Sequence, residues 1–382
     1  MCAKASPEAV AGAGSATLFL CGDVMAGRGV DQVMGHPSDP LLHESWVEDA
    51  RDYVALAEAA YGPIPRQVGP SYPWGDALAE LLRMAPVARV INLETSVTRS
   101  DDYWRGKGIN YRMHPENVGC LAAARIDVCT LANNHVLDYG YPGLEETVET
   151  LRAAGFATAG AGRNAAAARE PAVLALPGKG RLIVFAFGSP SSGIPPEWAA
   201  TEDRPGVDFL DDLSGPAARE AEERIRRARR PGDVVIAAIH WGTNWGYEVP
   251  AAQVRFAHRL VDAGADIVCG HSSHHPRPVE VFRGRLVLYG CGDLLNDYEG
   301  IKGYEEYRGD LVSMFFPTID RESGALCGLT MTPMQVRRFQ LRRAAPADAK
   351  WLEDTLNRTS RPFGARVFLD DEGRLELPCP EV

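Results

Sequence analysis

The sequence predicts an α/β protein with a mostly parallel sheet and a second sheet packed on it. Three observations carry this. Strand-like apolar runs alternate five or more times with helix-like stretches, the pattern of parallel strands joined by crossover helices. Several runs stop abruptly in polar ligand-type residues, at Asp23, Glu94, Asn134, His240 and His271. The carboxyl ends of parallel strands are where open α/β sheets build their sites. From Val279 onward the pattern changes to short strands separated by turns, which reads as the second sheet.

The chain has 382 residues, 45% hydrophobic and 24% charged, enough to bury a large core. A net charge of −11 without a concentrated Lys/Arg field argues against nucleic-acid or anionic-membrane partners. The basic run Arg224 to Arg230 follows Glu220, Glu222 and Glu223 and reads as a solvated helix face. Eight cysteines include no CxxC pair, and Cys21, Cys129, Cys269 and Cys291 lie in apolar runs, as buried reduced thiols of a cytoplasmic protein would. Residues 1–15 lack the basic start and apolar core of a signal peptide and are expected to be flexible. Nothing later approaches the ~18 apolar residues of a spanning helix.

Taken in order, Ala16 to Gly22 reads as a strand that delivers Asp23. The glycines at 27 and 29 form only a weak phosphate-loop signal, and an N-cap aspartate is the plainer alternative for Asp23. Residues from Asp39 to Tyr61 and from Trp74 to Met84 read as helices, so 39–86 is expected as a helical insertion near the cleft. The strand Val87 to Asn92 delivers Glu94, followed by a polar, aromatic loop with Asp101, Asp102, Trp104 and Lys107. Arg112 suits a substrate carboxylate or phosphate because its planar fork binds such groups bidentately, with a surface salt bridge as the alternative. The run Ile126 to Ala132 reads as a buried strand ending in Asn133, Asn134 and His135, before a helix from Tyr141 to Ala154. Strands follow at Ala157–Gly160, Arg181–Gly188, Asp233–Ile239 and Ile267–Cys269, with helices at Ser214–Arg230 and Ala251–Ala263 between them. Residues 16–345 are expected as one catalytic domain, with 346–382 a C-terminal helix and tail packed on it.

Asp23, Glu94, Asn134, His240 and His271 each stand at the exit of a different strand, so parallel strands would gather them at one sheet edge. A lone histidine at a strand end is usually structural, but five such residues together predict a metal site. Mixed carboxylate, amide and imidazole donors without sulfur suit one hard or borderline divalent ion, Ca²⁺ or Mn²⁺ first, with Mg²⁺, Fe²⁺ or Zn²⁺ as alternatives. No organic cofactor is expected.

The order Gly-Asp-Val-Met, Asn-Leu-Glu, Ala-Asn-Asn-His-x-x-Asp-Tyr-Gly, His-Trp-Gly and Gly-His-x-x-His, from about Thr17 through Asp297, resembles the CapA family, named for capsular poly-γ-glutamate synthesis. The resemblance implies a calcineurin-like metallophosphatase fold, a four-layer α/β/β/α sandwich of two mixed sheets flanked by helices. It also implies metal-site roles for Asp23, Glu94, Asn134, His240 and His271, with His135 beside the metal and His274 matching the second histidine of the last motif. Three positions depart from the phosphoesterase pattern. Met25 stands where a histidine is usual, Glu94 where an aspartate bridges two metals, and Asp293 where an asparagine is usual. Loss of the ligand at the Met25 position weakens one of the two metal positions, which favours a single ion and counts against two-metal phosphate hydrolysis. Without a membrane anchor, the chain looks closest to the soluble branch that includes the lasso-peptide epimerase.

Inverting a Cα centre needs an acid and a base on opposite faces. His135 with Asp138, Asp101 or Asp102, and His274 or His275 with Asp293 or Asp297, can supply two such pairs. The expected function is therefore a metal-dependent peptide epimerase that inverts a residue, the C-terminal Trp first, of a ribosomally made lasso precursor peptide. Trp104, Trp241 and Trp245 would cradle that end, with core packing as the alternative. The competing readings are a metallophosphoesterase and a CapA-like enzyme of polyglutamate biosynthesis.

Overall fold

The strand Arg181–Gly188 shows how the layers arise, because successive strand residues point to opposite faces. Its Leu182, Val184 and Ala186 join a core that also holds Leu18, Leu20, Val90 and Val128 of the other sheet. Its Ile183, Phe185 and Phe187 join a second core with Ala218, Ala221 and Ile225 of helix Pro216–Ala228, and Phe256, Ala257 and Leu260 of helix Ala251–Ala263. A strand buried on both faces reads as a continuous apolar run for this reason.

This computed structural model describes residues 14–178 and 180–378. Residues 1–13, for which flexibility was expected, lie outside the described residues. The first sheet runs Phe368–Leu369, Leu375–Pro378, Leu326–Val336, Leu311–Asp320, Ser15–Val24, Ala88–Leu93, Val128–Thr130, Ala157–Ala159, and Asp293–Leu295 also pairs with Ser15–Val24. The second runs Val279–Phe282, Arg285–Leu288, Ile267–His271, Val234–His240, Arg181–Gly188, Ala172–Ala175. Both sheets are parallel through the strands that reach the site; the second is antiparallel at both edges, and the first is antiparallel on the side of Leu311–Asp320 and parallel out to its Ala157–Ala159 edge. Helix Gly140–Ala153 buries Leu144 and Leu151 into the core of the first sheet. The α/β class with two mixed sheets flanked by helices is thus the observed architecture.

The division between sheets differs from the sequence expectation. The chain leaves the first sheet after Ala159, builds the second between Ala172 and Leu288, and returns, so that Leu311–Asp320 lies antiparallel beside Ser15–Val24. Strand–helix alternation makes neighbouring strands parallel, but it carries no mark of which stacked sheet each joins. The insertion also differs: 39–49 is irregular, and the helix begins at Ala50, where the Asp49 carboxylate accepts the Arg51 N–H at 2.8 Å. A short helix, Arg28–Val33, lies where none was expected. The C-terminal helix Pro346–Ser360 buries Leu352 and Leu356, and the tail beyond it forms a hairpin on the edge of the first sheet.

The basic run on helix Pro216–Ala228 and just beyond is matched with acids. Arg224 pairs with Asp208, Arg226 with Glu222, Arg227 with Glu223 and Arg229 with Asp266. Among the described residues, no helix is long and apolar enough to cross a membrane.

Candidate metal centre and its flanking histidine pairs

Three strand ends meet at Asp23, which lies opposite Asn92 on one side and Asp293 on the other. The approach depends on Gly22. A Cβ there would lie 1.7 Å from the Gly292 carbonyl oxygen, and the Asp23 N–H donates to that oxygen at 2.9 Å. Gly292 itself sits at φ +77°, where glycine carries no steric penalty. The Asp23 and Asp293 side chains therefore leave adjacent backbones at the mouth of the first sheet.

The Asn92 amide joins the two carboxylates of the cradle, donating to Asp23 Oδ1 at 2.8 Å and to Glu94 Oε2 at 2.6 Å. The other Glu94 oxygen lies 3.4 Å from His240 Nε2, which is 2.9 Å from Asn134 Oδ1. One donor atom from each of Asp23, Glu94 and His240 lies within 4.8 Å of the other two, and all three residues are buried. Ser272, held at φ +93°, turns the chain after the second-sheet strand so that its N–H donates to Asp23 Oδ2 at 3.2 Å.

The electrostatics fit a cation. Burial raises the Asp23 carboxyl to about 6, with His271 opposing and Asp293 adding to the rise. Burial and the neighbouring Asp23 push Glu94 well above the carboxylate range. Burial, then His271, holds His240 well below its ordinary value and so neutral. Two desolvated carboxylates, a neutral imidazole and an amide oxygen match one hard or borderline divalent ion. Such an ion would lower both carboxyl pKa values.

The fifth expected ligand is placed differently. His271 Nε2 faces the Cys21 carbonyl at 3.2 Å and Cys269 Sγ at 3.7 Å, while Cys269 Sγ is 3.3 Å from Cys291 Sγ. Burial would lower the His271 pKa, but Cys269 and Asp23 raise it to about 9. His271 and Cys269 thus form one buried pair behind Asp23. Cys21, Cys120, Cys129, Cys269 and Cys291 are buried thiols outside any disulfide.

Two imidazole–carboxylate pairs flank the cradle. His135 Nδ1 is 2.6 Å from Asp138 Oδ2, and Lys107 binds Asp138 Oδ1 and the Asn134 carbonyl. Burial outweighs Asp138 and takes His135 down to about 4. On the other side, His274 Nδ1 lies 3.1 and 3.2 Å from the Asp293 oxygens, and Asp293 overcomes the burial penalty to raise its pKa. The two imidazoles are thus biased in opposite directions, the neutral form at His135 and the charged form at His274.

Other expected site residues sit elsewhere. Asp101 is on the surface and binds Arg112 at 2.6 Å, so it is not the partner of His135. The guanidinium of Arg112 is already occupied, by Asp101, by the Ser100 and Asp39 carbonyls and by the Tyr139 ring beneath it. Its single charge is therefore spent on fixing two loops. Trp241 is 1% exposed, donates its indole N–H to the Tyr289 carbonyl at 3.1 Å and packs on Phe256 in the second core. Its large apolar ring is taken up by the second core, so it does not cradle a substrate. Trp104 packs edge-on against Tyr141 and Trp198. Trp245 does stand beside the site, 5.2 Å from the His274 ring and stacked on Tyr304. Asn92 was missed as a cradle residue although its motif is visible, since its neighbour Glu94 was the more obvious ligand. Arg28 and Tyr298 were missed because the contacts that bring them to the site, Arg28 to Asp297 and Tyr298 to Tyr111, span 269 and 187 positions.

In chelator, the Asp23→Asn variant should gain stability relative to the unsubstituted protein as pH rises from 5 to 7.5. The folded pKa of Asp23, about 6, lies above the ordinary 3.8. Its contribution is therefore full below 3.8 and is lost as pH climbs through 6. The expected difference is roughly 1 kcal/mol, read from paired denaturant titrations.

The family described as "Bacterial capsule synthesis protein PGA_cap" matches residues 17–298. A "Probable polyglutamine synthesis accessory protein" of Mycobacterium tuberculosis is 47% identical over 365 residues, covering 94% of this chain and 95% of that protein. The "PGA biosynthesis protein CapA" of Bacillus subtilis is 28% identical over 208 residues, covering 54% of this chain and 52% of that protein. A 5'-nucleotidase precursor from Thermus thermophilus superposes with a TM-score of 0.46 at 15% identity, covering 91% of this chain and 59% of that structure. The cradle of Asp23, Glu94, Asn134 and His240 lies wholly within the matched span, and the chain belongs to the bacterial capsule synthesis protein (PGA_cap, CapA) family.

Proposed function

We propose that this chain is a metal-dependent acid/base enzyme acting on a peptide-type substrate of the polyglutamate or polyglutamine class. The observation that carries the reading is a donor set for one divalent ion with a histidine–carboxylate pair on either side of it. Asp23, Glu94, Asn134 and His240 would hold the ion, which when bound supplies charge to polarise or orient a carbonyl or carboxylate. The chain's own groups do the rest. His135, kept neutral by burial and oriented through Nδ1 by Asp138, is suited to accept a proton at Nε2. His274, whose charged form Asp293 favours, is suited to donate one. Trp245 and Tyr304 offer a stacked aromatic wall beside the donor side. The names of the relatives, a polyglutamine synthesis accessory protein and a PGA biosynthesis protein, support a polyamide of this class over a phosphate ester.

A second reading is favoured by the same two pairs: inversion of a Cα centre, with one imidazole removing the proton and the other returning it. Its substrate would be a lasso precursor peptide with a C-terminal Trp, met in the cytoplasm. Incubating Mn²⁺-loaded protein with poly-γ-glutamate, polyglutamine peptide or Trp-ended peptide in D₂O tests both. New chain ends in either polymer support the first reading. Deuterium at Cα with no chain cleavage selects the second. Phosphate release from generic esters, with neither of these, would overturn both in favour of phosphoester hydrolysis.

A further inference from the structure

We propose that Tyr111 and Tyr298 are positioning residues that lock the two histidine–carboxylate pairs into one unit; this rests on the reading of those pairs as acid and base. Each tyrosine is tied to its own pair twice. The Tyr111 ring stacks on His135, centroids 3.9 Å apart and planes 23° from parallel, and its backbone N–H donates to Asp138 Oδ2 at 2.6 Å. The Tyr298 ring meets His274 edge to face, at 5.1 Å and 85°. Its backbone N–H donates to Asn296 Oδ1 at 3.2 Å, and Asn296 Nδ2 donates to Asp293 Oδ2 at 2.9 Å. The two hydroxyls then meet across the site at 2.7 Å, joining residues 187 positions apart.

Arg28 anchors this bridge. Its guanidinium is buried, lies 4.9 Å from the Tyr111 ring centroid and 5.9 Å from that of Tyr298, and stacks over Tyr53 at 3.5 Å. It binds both oxygens of Asp297, the residue before Tyr298, at 2.8 and 2.6 Å, and Glu44 at 2.8 Å. Arg28 holds φ +47°, a conformation that a non-glycine residue keeps only where surrounding contacts impose it. A cation clamped this firmly fixes the floor on which both rings rest. Rotation of either imidazole has to displace its tyrosine, and through the shared hydroxyl contact the other tyrosine as well.

The test is ¹⁵N NMR of the imidazoles in the full chain labelled at histidine, with chelator present and no substrate. His135→Gln and His274→Gln assign the two signals. Tyr298→Phe keeps the ring and deletes the hydroxyl contact, so it is expected to shift the His135 resonances as well as those of His274. Tyr111→Phe is expected to shift His274 as well as His135. Tyr289→Phe, which loses only the hydroxyl bonded to Glu280, serves as the control that should move neither. Shifts confined to the imidazole next to each substituted ring, or no shift at all, would overturn the bridge. Because the readout needs neither metal nor turnover, it separates failure of the bridge from failure of the functional reading.

Discussion

Glu94→Gln is expected to weaken Mn²⁺ binding by about 100-fold or more, while raising the melting temperature of the metal-free protein. The two effects have one cause. Glu94 and Asp23 are buried carboxylates tied to the same Asn92 amide, and burial together with mutual repulsion raises both. With an ion present, that repulsion becomes attraction for the cation, and losing one of two charges in a desolvated site costs on the order of 3 kcal/mol, a factor of about 100. Without the ion, burial and Asp23 disfavour ionisation of Glu94 in the folded state relative to the unfolded one, and an uncharged glutamine carries no such penalty, so the folded state gains. For a chain of this size a gain of about 1 kcal/mol appears as a rise of roughly 1–3 °C. Calorimetric Mn²⁺ titration and thermal unfolding in chelator check the two halves. Unchanged affinity would remove Glu94 from the cradle.

Asp138→Asn is expected to be the most damaging single change among the flanking pairs. Asp138 is fully buried and serves three groups at once: the Tyr111 N–H, His135 Nδ1 and the Lys107 ammonium. An asparagine offers one acceptor oxygen in place of two and turns an N–H₂ toward donors. It also leaves the Lys107 ammonium without its counter-charge. Breaking a buried pair costs about 3–5 kcal/mol, and the 15% exposure remaining to Lys107 lowers the expectation to roughly 2–4 kcal/mol. The measurement is the denaturant midpoint, with Lys107→Met/Asp138→Asn as the informative partner. Removing both charges should recover part of the loss, since the penalty comes chiefly from the stranded cation. Turnover in the D₂O assay should fall by about 10²–10⁴, because His135 loses the carboxylate that sets its tautomer.

How much of the site was legible follows from the range of each contact. The sequence offered each histidine more than one aspartate partner, and the contacts that select Asp138 for His135 and Asp293 for His274 are made only in the fold. Asp23, Glu94, Asn134 and His240 were legible because each ends a strand, and parallel strands end together. The errors fell on residues whose chemistry suits several environments. Arg112 was open to a substrate anion or to two loops, and the loops hold it. Trp241 follows His240 directly, yet strand alternation points it to the opposite face, into the core against Phe256. Asp101 and Asp138 were equal candidates by composition, and only folding placed one under His135 and the other at the surface.

The sequence by itself determined the α/β class and which strand ends carry carboxylate, amide and imidazole side chains. Both follow from periodicities of two and 3.6 residues and from which side chains stand where a strand stops. Only the tertiary structure decided which of two stacked sheets each strand joins, that His271 Nε2 turns to the Cys21 carbonyl and the Cys269 thiol, and that Arg28 lies under Tyr111 and Tyr298. Those outcomes depend on packing between segments far apart in the chain, where many pairings satisfy the same local pattern and only the closest-fitting core selects one.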